Sequence, residues 1–281
     1  MPHIFEVKSQ VISQEKVGPK CYRLILSALE ISANAEPGQF VNIACGTHER
    51  LDPLLRRPLT IYRSAADHGT IEVIYEVKGN GTKALSQKRS GDWLEVLGPL
   101  GKGFVVKGNA AKAILISGGL GVAGLMALAQ EIIINNQAKG LPSVYVLIGA
   151  HDQSELICTE DFRALGSGIK VIPWLTRVGL ETALERLVGE VTAEGVTLGA
   201  CSVYACGSWP MLKRVSEWAQ RFDMACQVSL EAHMACGLGA CQSCVCKVKS
   251  GPPESGSSGY TYGLVCKDGP VFDAEEIEWG E

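Results

Sequence analysis

The sequence lacks the features that would point to nucleic acid or to a membrane. Its 281 residues contain 26 Lys and Arg against 30 Asp and Glu, a formal net charge of −4. Without a basic excess, no binding to nucleic acid or to an anionic membrane is expected. No apolar segment reaches about 18 uninterrupted residues, so no membrane span is expected. No signal peptide precedes the first strand-like run, and we therefore expect a cytoplasmic protein.

The sequence also lacks the short motifs of the common hydrolases. There is no G-x-S-x-G, no P-loop and no H-E-x-x-H, and the five histidines are scattered without a recognisable catalytic pair. These absences argue against hydrolytic chemistry.

Eleven cysteines are present, an odd number that favours a reducing compartment. Four of them follow the C-x4-C-x2-C spacing with a distant fourth member, which is the plant-type ferredoxin pattern for a [2Fe–2S] cluster. The four candidate metal ligands are Cys236, Cys241, Cys244 and Cys266. Gly237 and Gly239 lie between the first two, where glycine would let backbone amides approach the sulfurs.

Other uses of these cysteines stay open on spacing alone. Structural zinc sites usually have two C-x2-C pairs, and only one is present here. Disulfides would require an oxidising compartment. Cys246 is a fifth candidate, but alternation in a following strand would turn it into the core, so we exclude it from the ligand set.

The rest of the chain divides into two larger regions. Residues 1–105 show short strands separated by Gly, Pro and Asn, which predict an antiparallel β-barrel. Residues 106–228 alternate strands with helices, which predicts a parallel α/β nucleotide-binding domain. Residues 229–281 would form a small C-terminal cluster module. The predicted fold class is therefore a multidomain α+β protein.

Two motifs in the barrel region could hold a flavin diphosphate. Arg57 offers a fork of donors to phosphate, and Thr60 follows three residues later. Gly81 and Thr82 open a short helix, where free amides and the helix dipole suit a pyrophosphate. The alternatives are a solvated arginine and an ordinary glycine turn with a helix cap.

Two motifs in the α/β region could hold a dinucleotide. The run G-x-G-x-x-G, with its first glycines at Gly119 and Gly121, lies between a predicted strand and a helix predicted over 122–135. The acidic residue that usually follows about 20 positions on is missing from the neighbourhood of residues 142–144. Cys206 ends a strand at the ligand-binding edge and could lie over a nicotinamide, or it could be a buried structural cysteine.

Taken together, these motifs resemble the ferredoxin–NAD(P)H reductase superfamily over essentially the whole chain. Within it, the chain is similar to the iron–sulfur electron-transfer subunits of NAD-linked (class 1B) dihydroorotate dehydrogenase. The carrying motifs are R-R-P-L-T at 56–60, K-G-N-G-T at 78–82, G-G-L-G-V-A at 118–123, Y-A-C-G at 204–207, S-L-E-A-H-M-A-C-G-L-G-A-C-Q-S-C at 229–244 and V-C-K-D-G-P-V-F at 265–272.

The resemblance implies FAD, a [2Fe–2S] cluster and NAD as cofactors or substrate. The implied cofactor-binding residues are Arg57, Pro58, Leu59, Thr60, Ile74, Tyr75, Glu76, Gly81, Thr82, Gly118, Gly119 and Gly121. Cluster ligation falls to the four cysteines named above. The run at 251–259 makes the segment before the fourth ligand longer than the resemblance leads us to expect.

The implied partner is an FMN-containing dihydroorotate dehydrogenase catalytic subunit, in a heterotetramer of two copies of each. The implied function is to pass electrons from that subunit through the cluster and FAD to NAD⁺ in pyrimidine biosynthesis. The alternative is a subunit of another flavin and iron–sulfur NAD(P)H oxidoreductase, such as an NAD(P)H:ferredoxin transhydrogenase. An adaptor that binds zinc or senses redox state without catalysis is the alternative outside the oxidoreductases.

Overall fold

Six strands in the first third of the chain close into an antiparallel barrel with the order β1-β2-β5-β4-β3-β6. The strands are β1 Phe5–Lys16, β2 Cys21–Ser27, β3 Phe40–Ile43, β4 Arg57–Ala65, β5 Thr70–Glu76 and β6 Trp93–Leu100. Short helices α1 (Leu29–Ser32) and α2 (Asn80–Leu85) follow β2 and β5. Apolar side chains alternate inward along the strands and fill the barrel, as expected for strands with one buried face.

The second part is a doubly wound sheet flanked by helices. Its parallel strands are β7 Lys112–Gly118, β8 Val144–Ala150, β9 Ile169–Leu175, β10 Cys201–Cys206 and β11 Ala225–Ser229. Its helices are α3 Met126–Gln137, α4 Thr159–Arg163, α5 Leu180–Ala193 and α6 Trp209–Arg221. Every residue of β8 is buried, because both faces of a parallel sheet are covered.

The C-terminal segment carries strands β12 (Val245–Lys249), β13 (Tyr260–Leu264) and β14 (Val271–Asp273). Strands β12 and β13 pair with each other, while β14 adds antiparallel to β11 at the edge of the large sheet. The cluster segment is therefore fixed to the nucleotide-binding sheet by main-chain hydrogen bonds. The predicted fold class is confirmed.

These descriptions come from a computed structural model that covers residues 3–46, 52–108, 110–137, 144–250 and 259–280. The long run at 251–259 lies outside the described residues except for its last position, and so do residues 142 and 143. No helix in the described ranges is both long and apolar enough to cross a membrane.

The barrel and the nucleotide-binding part are joined by a polar contact. The Tyr62 hydroxyl donates to Asp161 Oδ2 on α4 at 2.7 Å, and Arg23 pairs with the same carboxylate. Arg23 and Arg63 lie over the Tyr62 ring, 5.4 and 5.2 Å from its centroid. Burial raises the pKa of Tyr62, so the hydroxyl stays a neutral donor. This contact holds α4 against the barrel.

The helix predicted over 122–135 begins later in the structure. Residues Gly119–Gly124 form a 3₁₀ turn, and α3 starts only at Met126. Glycine is a poor helix former, and the turn packs closely on the end of β10. The backbone at the predicted nucleotide site is therefore a tight turn.

Candidate functional site

A cleft of about 250 Å³ opens where the three parts of the chain meet. Pro58, Leu59, Thr60 and Ile74 of the barrel line one side. The α/β sheet contributes Leu120, Gly121, Ala123, Gly124, Cys206 and Gly207. The segment leading to the cluster contributes Ser229, Leu230, Glu231, Ala232 and Met234, and Phe40, Lys78 and Pro270 complete the wall. Six of the sequence-predicted residues thus share one cavity at the carboxyl edge of the sheet.

The predicted diphosphate residues come together beside this cleft. A Cβ at Gly81 would lie 2.7 Å from Arg57 Nε, so the guanidinium lies directly on the first turn of α2. Arg57 Nη1 donates to Leu55 O at 2.6 Å, which turns the side chain toward the chain before β4. The Thr82 hydroxyl accepts from Lys78 N at 3.0 Å and therefore supports its own turn. The guanidinium and the close-lying glycine fit a diphosphate, and their assignment to FAD stays a prediction.

The three predicted residues of β5 have different surroundings. Ile74 lines the cleft. Tyr75 is fully buried in the barrel core and donates its hydroxyl to Gln14 Oε1 at 2.7 Å. Glu76 pairs with Lys78 at 3.1 Å. From this strand, only Ile74 presents its side chain to the cleft, so any contact of Tyr75 with a flavin would use its backbone.

The glycine turn after β7 packs against Cys206. A Cβ at Gly121 would lie 2.3 Å from Cys206 O, and one at Gly124 would lie 2.6 Å from Cys206 Sγ. Gly118 meets Met211 in the same way, whereas Gly119 has φ +54 and open space around it. This close approach explains why glycine occupies the turn. Burial raises the pKa of Cys206 to about 12, so its thiol is neutral at physiological pH and does not act as a nucleophile.

Sequence reasoning missed a charged group in the cleft. Glu231 lies two residues beyond β11, and its side chain is accessible to solvent at the cleft mouth. Partial burial nevertheless raises the pKa of its carboxyl group, and the nearby Lys78 opposes that shift. The only available signal was its position after the last parallel strand, at the edge where open sheets bind ligands.

Four predicted thiol ligands lie in one loop system, where main-chain amides donate to their sulfurs. Cys236 Sγ accepts from Leu238 N at 3.3 Å and from Cys241 N at 3.4 Å. Cys266 Sγ accepts from Gly239 N at 3.1 Å, and Cys244 Sγ accepts from Cys266 N at 3.4 Å. Such amide donors stabilise thiolate charge, and they fit the predicted cluster.

Two glycines shape the loop between the first two ligands. Gly237 and Gly239 have φ of +72 and +81, which a side chain would make unfavourable. Both glycines have the positive φ that the sequence analysis expected. The two residues alone predicted this conformation because it depends only on neighbouring residues in the loop.

The ligand thiols fall into two neighbouring pairs. Cys241 N donates to Cys236 Sγ and Cys266 N donates to Cys244 Sγ, so a main-chain amide links the two members of each pair. Two ligands for each of two irons is the arrangement that a [2Fe–2S] cluster needs. A hydrogen bond from the Ser243 hydroxyl lowers the pKa of the exposed Cys241 to about 6, while burial raises the pKa of Cys266 to about 12. The first pair is thus nearer to solvent than the second.

The fifth cysteine of this region has a different environment. Cys246 lies on β12 opposite Gly263, is 9% exposed, and belongs to the apolar core. Its placement is the one expected from strand alternation. All eleven cysteines are free in the structure, so none forms a disulfide.

Comparison with known families agrees with this geometry. Residues 231–278 match the iron–sulfur cluster binding domain of dihydroorotate dehydrogenase B. The electron transfer subunit of dihydroorotate dehydrogenase B (NAD(+)) from Caldanaerobacter subterraneus is 34% identical over 276 residues, covering 97% of this chain and 98% of the relative. The Bacillus caldolyticus subunit of the same name is 37% identical over 272 residues, covering 95% and 96%.

Solved structures show the same fold. An NADH-dependent reduced ferredoxin-NADP oxidoreductase has a TM-score of 0.76 and 24% identity, covering 97% of this chain and 90% of its own. A ferredoxin reductase of carbazole 1,9a-dioxygenase has a TM-score of 0.62 and 19% identity, covering 79% and 67%. Both likenesses concern the fold alone.

A ferredoxin-reductase-like barrel and sheet followed by an iron–sulfur domain define an oxidoreductase subunit of the electron-transfer class. Within that class, the chain belongs to the family of dihydroorotate dehydrogenase B electron transfer subunits. The prediction of FAD, a [2Fe–2S] cluster and NAD is confirmed at the level of this family. The zinc alternative is not supported, because the matching domain is an iron–sulfur one.

Proposed function

We propose that this chain transfers electrons between a dihydroorotate dehydrogenase catalytic subunit and NAD⁺, in pyrimidine biosynthesis. The observation that carries the proposal is the short distance along the chain between its two sites. Met234 lines the cleft, and Cys236, only two residues further on, is a predicted cluster ligand. A cofactor in the cleft and a cluster in the loop would therefore be neighbours.

A flavin bound in the cleft would supply chemistry in both one-electron and two-electron steps, which a nicotinamide and an iron–sulfur cluster together require. The chain's own residues provide placement. The turn at Gly121 and Gly124 packs closely on Cys206, and together they form the wall of the cleft against which a nicotinamide would lie. Phe40, Leu59 and Met234 make the wall apolar and exclude water. The neutral thiol of Cys206 offers contact without reacting.

The finer parts of the proposal concern the partner. We propose that the catalytic subunit contains FMN, that the complex holds two copies of each subunit, and that it works in the cytoplasm. Eleven free cysteines support a reducing compartment. Leu238, Val245 and Tyr262 lie near the thiols and are 47%, 47% and 62% exposed, which supports docking of a partner beside the cluster.

The test is to measure orotate formation by the chain alone and with its co-purified partner. Alone, the chain should reduce dyes with NADH and make no orotate. With the partner, NAD⁺ reduction should depend on dihydroorotate. Orotate formation by the single chain, or dihydroorotate-independent NAD⁺ reduction by the complex, would contradict the division of labour.

A ferredoxin transhydrogenase is the second candidate. It is considered because this chain has the fold of the NADH-dependent reduced ferredoxin-NADP oxidoreductase, with a TM-score of 0.76. The relatives named for dihydroorotate dehydrogenase are more similar in sequence, at 32% to 37% identity over 95% or more of the chain. Ferredoxin-dependent NADP⁺ reduction without any response to dihydroorotate would favour the transhydrogenase.

A further inference from the structure

Asn42 is a buried polar residue in the middle of β3 that contacts the cluster loop. Its side chain is 0% exposed, and its Nδ2 donates to Cys236 O at 3.2 Å. Its Oδ1 has no hydrogen-bond partner within the described parts of the chain. Because a main-chain carbonyl can only accept, the amide orientation is fixed with its NH₂ group toward the loop.

The loop is shaped to receive this side chain. Gly237 follows Cys236, and a Cβ there would lie 2.3 Å from Asn42 Nδ2 and 3.3 Å from Leu100 Cδ1. Its φ of +72 is also one that a side chain disfavours. The backbone of the loop therefore rests directly on Asn42, with no space between them.

Asn42 also lies beside the strand predicted to hold the flavin. In the barrel it is the register partner of Pro58 on β4, between the pairs of its neighbours with Arg57 and Leu59. Asn42 thus joins two parts of the fold, because its strand pairs with β4 and its side chain binds the main chain of the first predicted cluster ligand. Among the described residues, β4 lies between β3 and β5 in the closed barrel.

The unpaired Oδ1 of Asn42 is a cost to stability that the hydrogen bond from Nδ2 to Cys236 O has to offset. A buried acceptor without a partner costs free energy that an apolar side chain would not. Val41 and Ile43 belong to the barrel core, and strand alternation places Asn42 on the opposite face of β3, toward the cluster loop. Within the described residues, the bond to Cys236 O is the only hydrogen bond that the Asn42 side chain makes, so we place its role in that contact.

We propose that Asn42 is a positioning residue that fixes the Cys236 loop on the flavin barrel and so sets the environment and reduction potential of the cluster. It acts through Cys236 and does not ligate iron. The proposal rests on the proposed function for its assignment of the cluster to these cysteines.

The first test is Asn42→Leu, which keeps the number and branching of the side-chain heavy atoms and removes the donor. In the full chain loaded with FAD and cluster, we expect cluster iron to be released to a chelator about tenfold faster, since a carbonyl loses its buried donor. The reduced cluster should also show a changed EPR line shape and a shifted midpoint potential. The flavin spectrum and NADH-driven dye reduction should stay within about twofold, because no cleft residue is altered.

The matched control is Gln227→Leu. Gln227 is a buried carboxamide that donates to Val105 O at the same 3.2 Å, and it is 6% exposed. Its contact joins β11 to the linker after the barrel and involves no cluster ligand. We expect lower thermal stability and an unchanged EPR signal. Equal iron release and identical EPR signals in the two variants would overturn the proposal.

A second pair approaches the same contact from the loop and covers the case in which Asn42→Leu does not load a cluster. Gly237→Ala and Gly239→Ala both replace a glycine at positive φ. Only the first would meet the barrel, because a Cβ at Gly239 would face Lys267 Cδ at 2.9 Å, the flexible part of a side chain. Gly237→Ala should therefore release iron faster than Gly239→Ala. Equal rates would overturn the proposal.

These measurements use the chain without its partner, so they are independent of the proposed electron donor. If the complex does not reduce NAD⁺ in response to dihydroorotate, but the Asn42 and Gly237 variants release iron faster than their controls, the proposed function is wrong and the role of Asn42 is supported. If the complex responds and the variants match their controls, the role of Asn42 falls alone.

Discussion

The cluster loop and the cleft are built in opposite ways. All four predicted cluster thiols lie between Cys236 and Cys266, and the amides that donate to them come from the same segment. The cleft is lined by residues that range from Phe40 to Pro270 and belong to the barrel, the sheet and the C-terminal segment. The loop depends on local spacing, whereas the cleft exists only when the whole fold is assembled.

Because of this difference, a substitution in one site should leave the other site intact. A change in the loop should remove the cluster and leave the cleft working, because few loop residues line it. A change in the cleft should affect nicotinamide chemistry while the thiols stay in place. The contact at Asn42 and the short segment after β11 are where the cluster loop joins the parts of the fold that form the cleft.

The largest effect is expected from Cys241→Ala, which removes one predicted ligand. The cluster should be lost, and NAD-linked orotate formation by the complex should fall to background, since four thiolates are required. NADH-driven dye reduction should persist, because Cys241 does not line the cleft. Iron and sulfide content, EPR and the two activities check this.

Cys246→Ala is the control for that substitution. Cys246 is only two residues from Cys244 but packs in the core. The variant should keep its cluster and lose about 1 kcal/mol or more of stability from the small cavity. Persistence of the cluster in Cys241→Ala, or its loss in Cys246→Ala, would show that the ligand set is wrong.

A smaller, graded effect is expected from Gly121→Ala in the cleft. The new Cβ would lie 2.3 Å from Cys206 O, which is backbone and cannot move away cheaply. The turn must shift away from Cys206 to relieve this clash, and a displaced turn would position NADH less well, so kcat/KM for NADH should fall by about tenfold or more. Steady-state dye reduction measures this, and cluster content should be unchanged.

Gly168→Ala serves as the comparison, because a Cβ there meets nothing within 4 Å. It lies in the turn before β9, away from the cleft. Its kcat/KM should match that of the unmodified chain. If Gly121→Ala kept full activity with NADH, the turn would not be part of the nucleotide site.

The same contrast explains what the sequence could predict. The ligand spacing and the two loop glycines were readable because they act within a few residues of one another. The barrel could be predicted from short alternating strands, and the parallel sheet from continuous apolar runs such as the one that forms β8. Gly121 and Cys206 were anticipated because their motifs stand at the carboxyl ends of strands. Thr60 was anticipated from its spacing after Arg57, and Pro58, Leu59 and Ile74 from the family resemblance.

Other features depend on contacts that no local pattern encodes. Tyr75 is predicted to contact FAD, and the sequence does not reveal that its side chain fills the barrel and donates to Gln14, which leaves its backbone for that contact. No sequence motif indicates a role for Asn42 or Glu231, because the residues around them come from distant segments of the chain. The late start of α3 follows from the packing of the glycine turn on Cys206. Tertiary packing decided each of these cases.

The smallest expected effect is a change in thermal stability that reports how far the cleft shifts the pKa of Glu231. Partial burial raises the pKa of Glu231, so the folded protein binds that proton more tightly than the unfolded chain. Stability is therefore lost as pH rises from the ordinary pKa of an unfolded Glu, about 4.3, through the raised value in the fold. Glu231→Gln removes this loss. Because the side chain is accessible to solvent, the gain should be small, about 1 °C in Tm at pH 8.

The measurement is the Tm difference between Glu231→Gln and the unmodified chain at pH 5 and at pH 8. The difference should be larger at pH 8, where Glu231 is charged in the unmodified fold. Glu185→Gln, on the exposed face of α5, provides the reference for a surface carboxylate. A variant that is less stable than the unmodified chain at pH 8 would mean that the charge of Glu231 is favourable in the cleft, with Lys78 outweighing the cost of burial. Glu231 and Lys78 would then form a favourable ion pair in the cleft. The two sites would differ in electrostatics as well as in assembly, because the cleft would use paired side chains while the cluster loop uses main-chain amides to stabilise its thiolates.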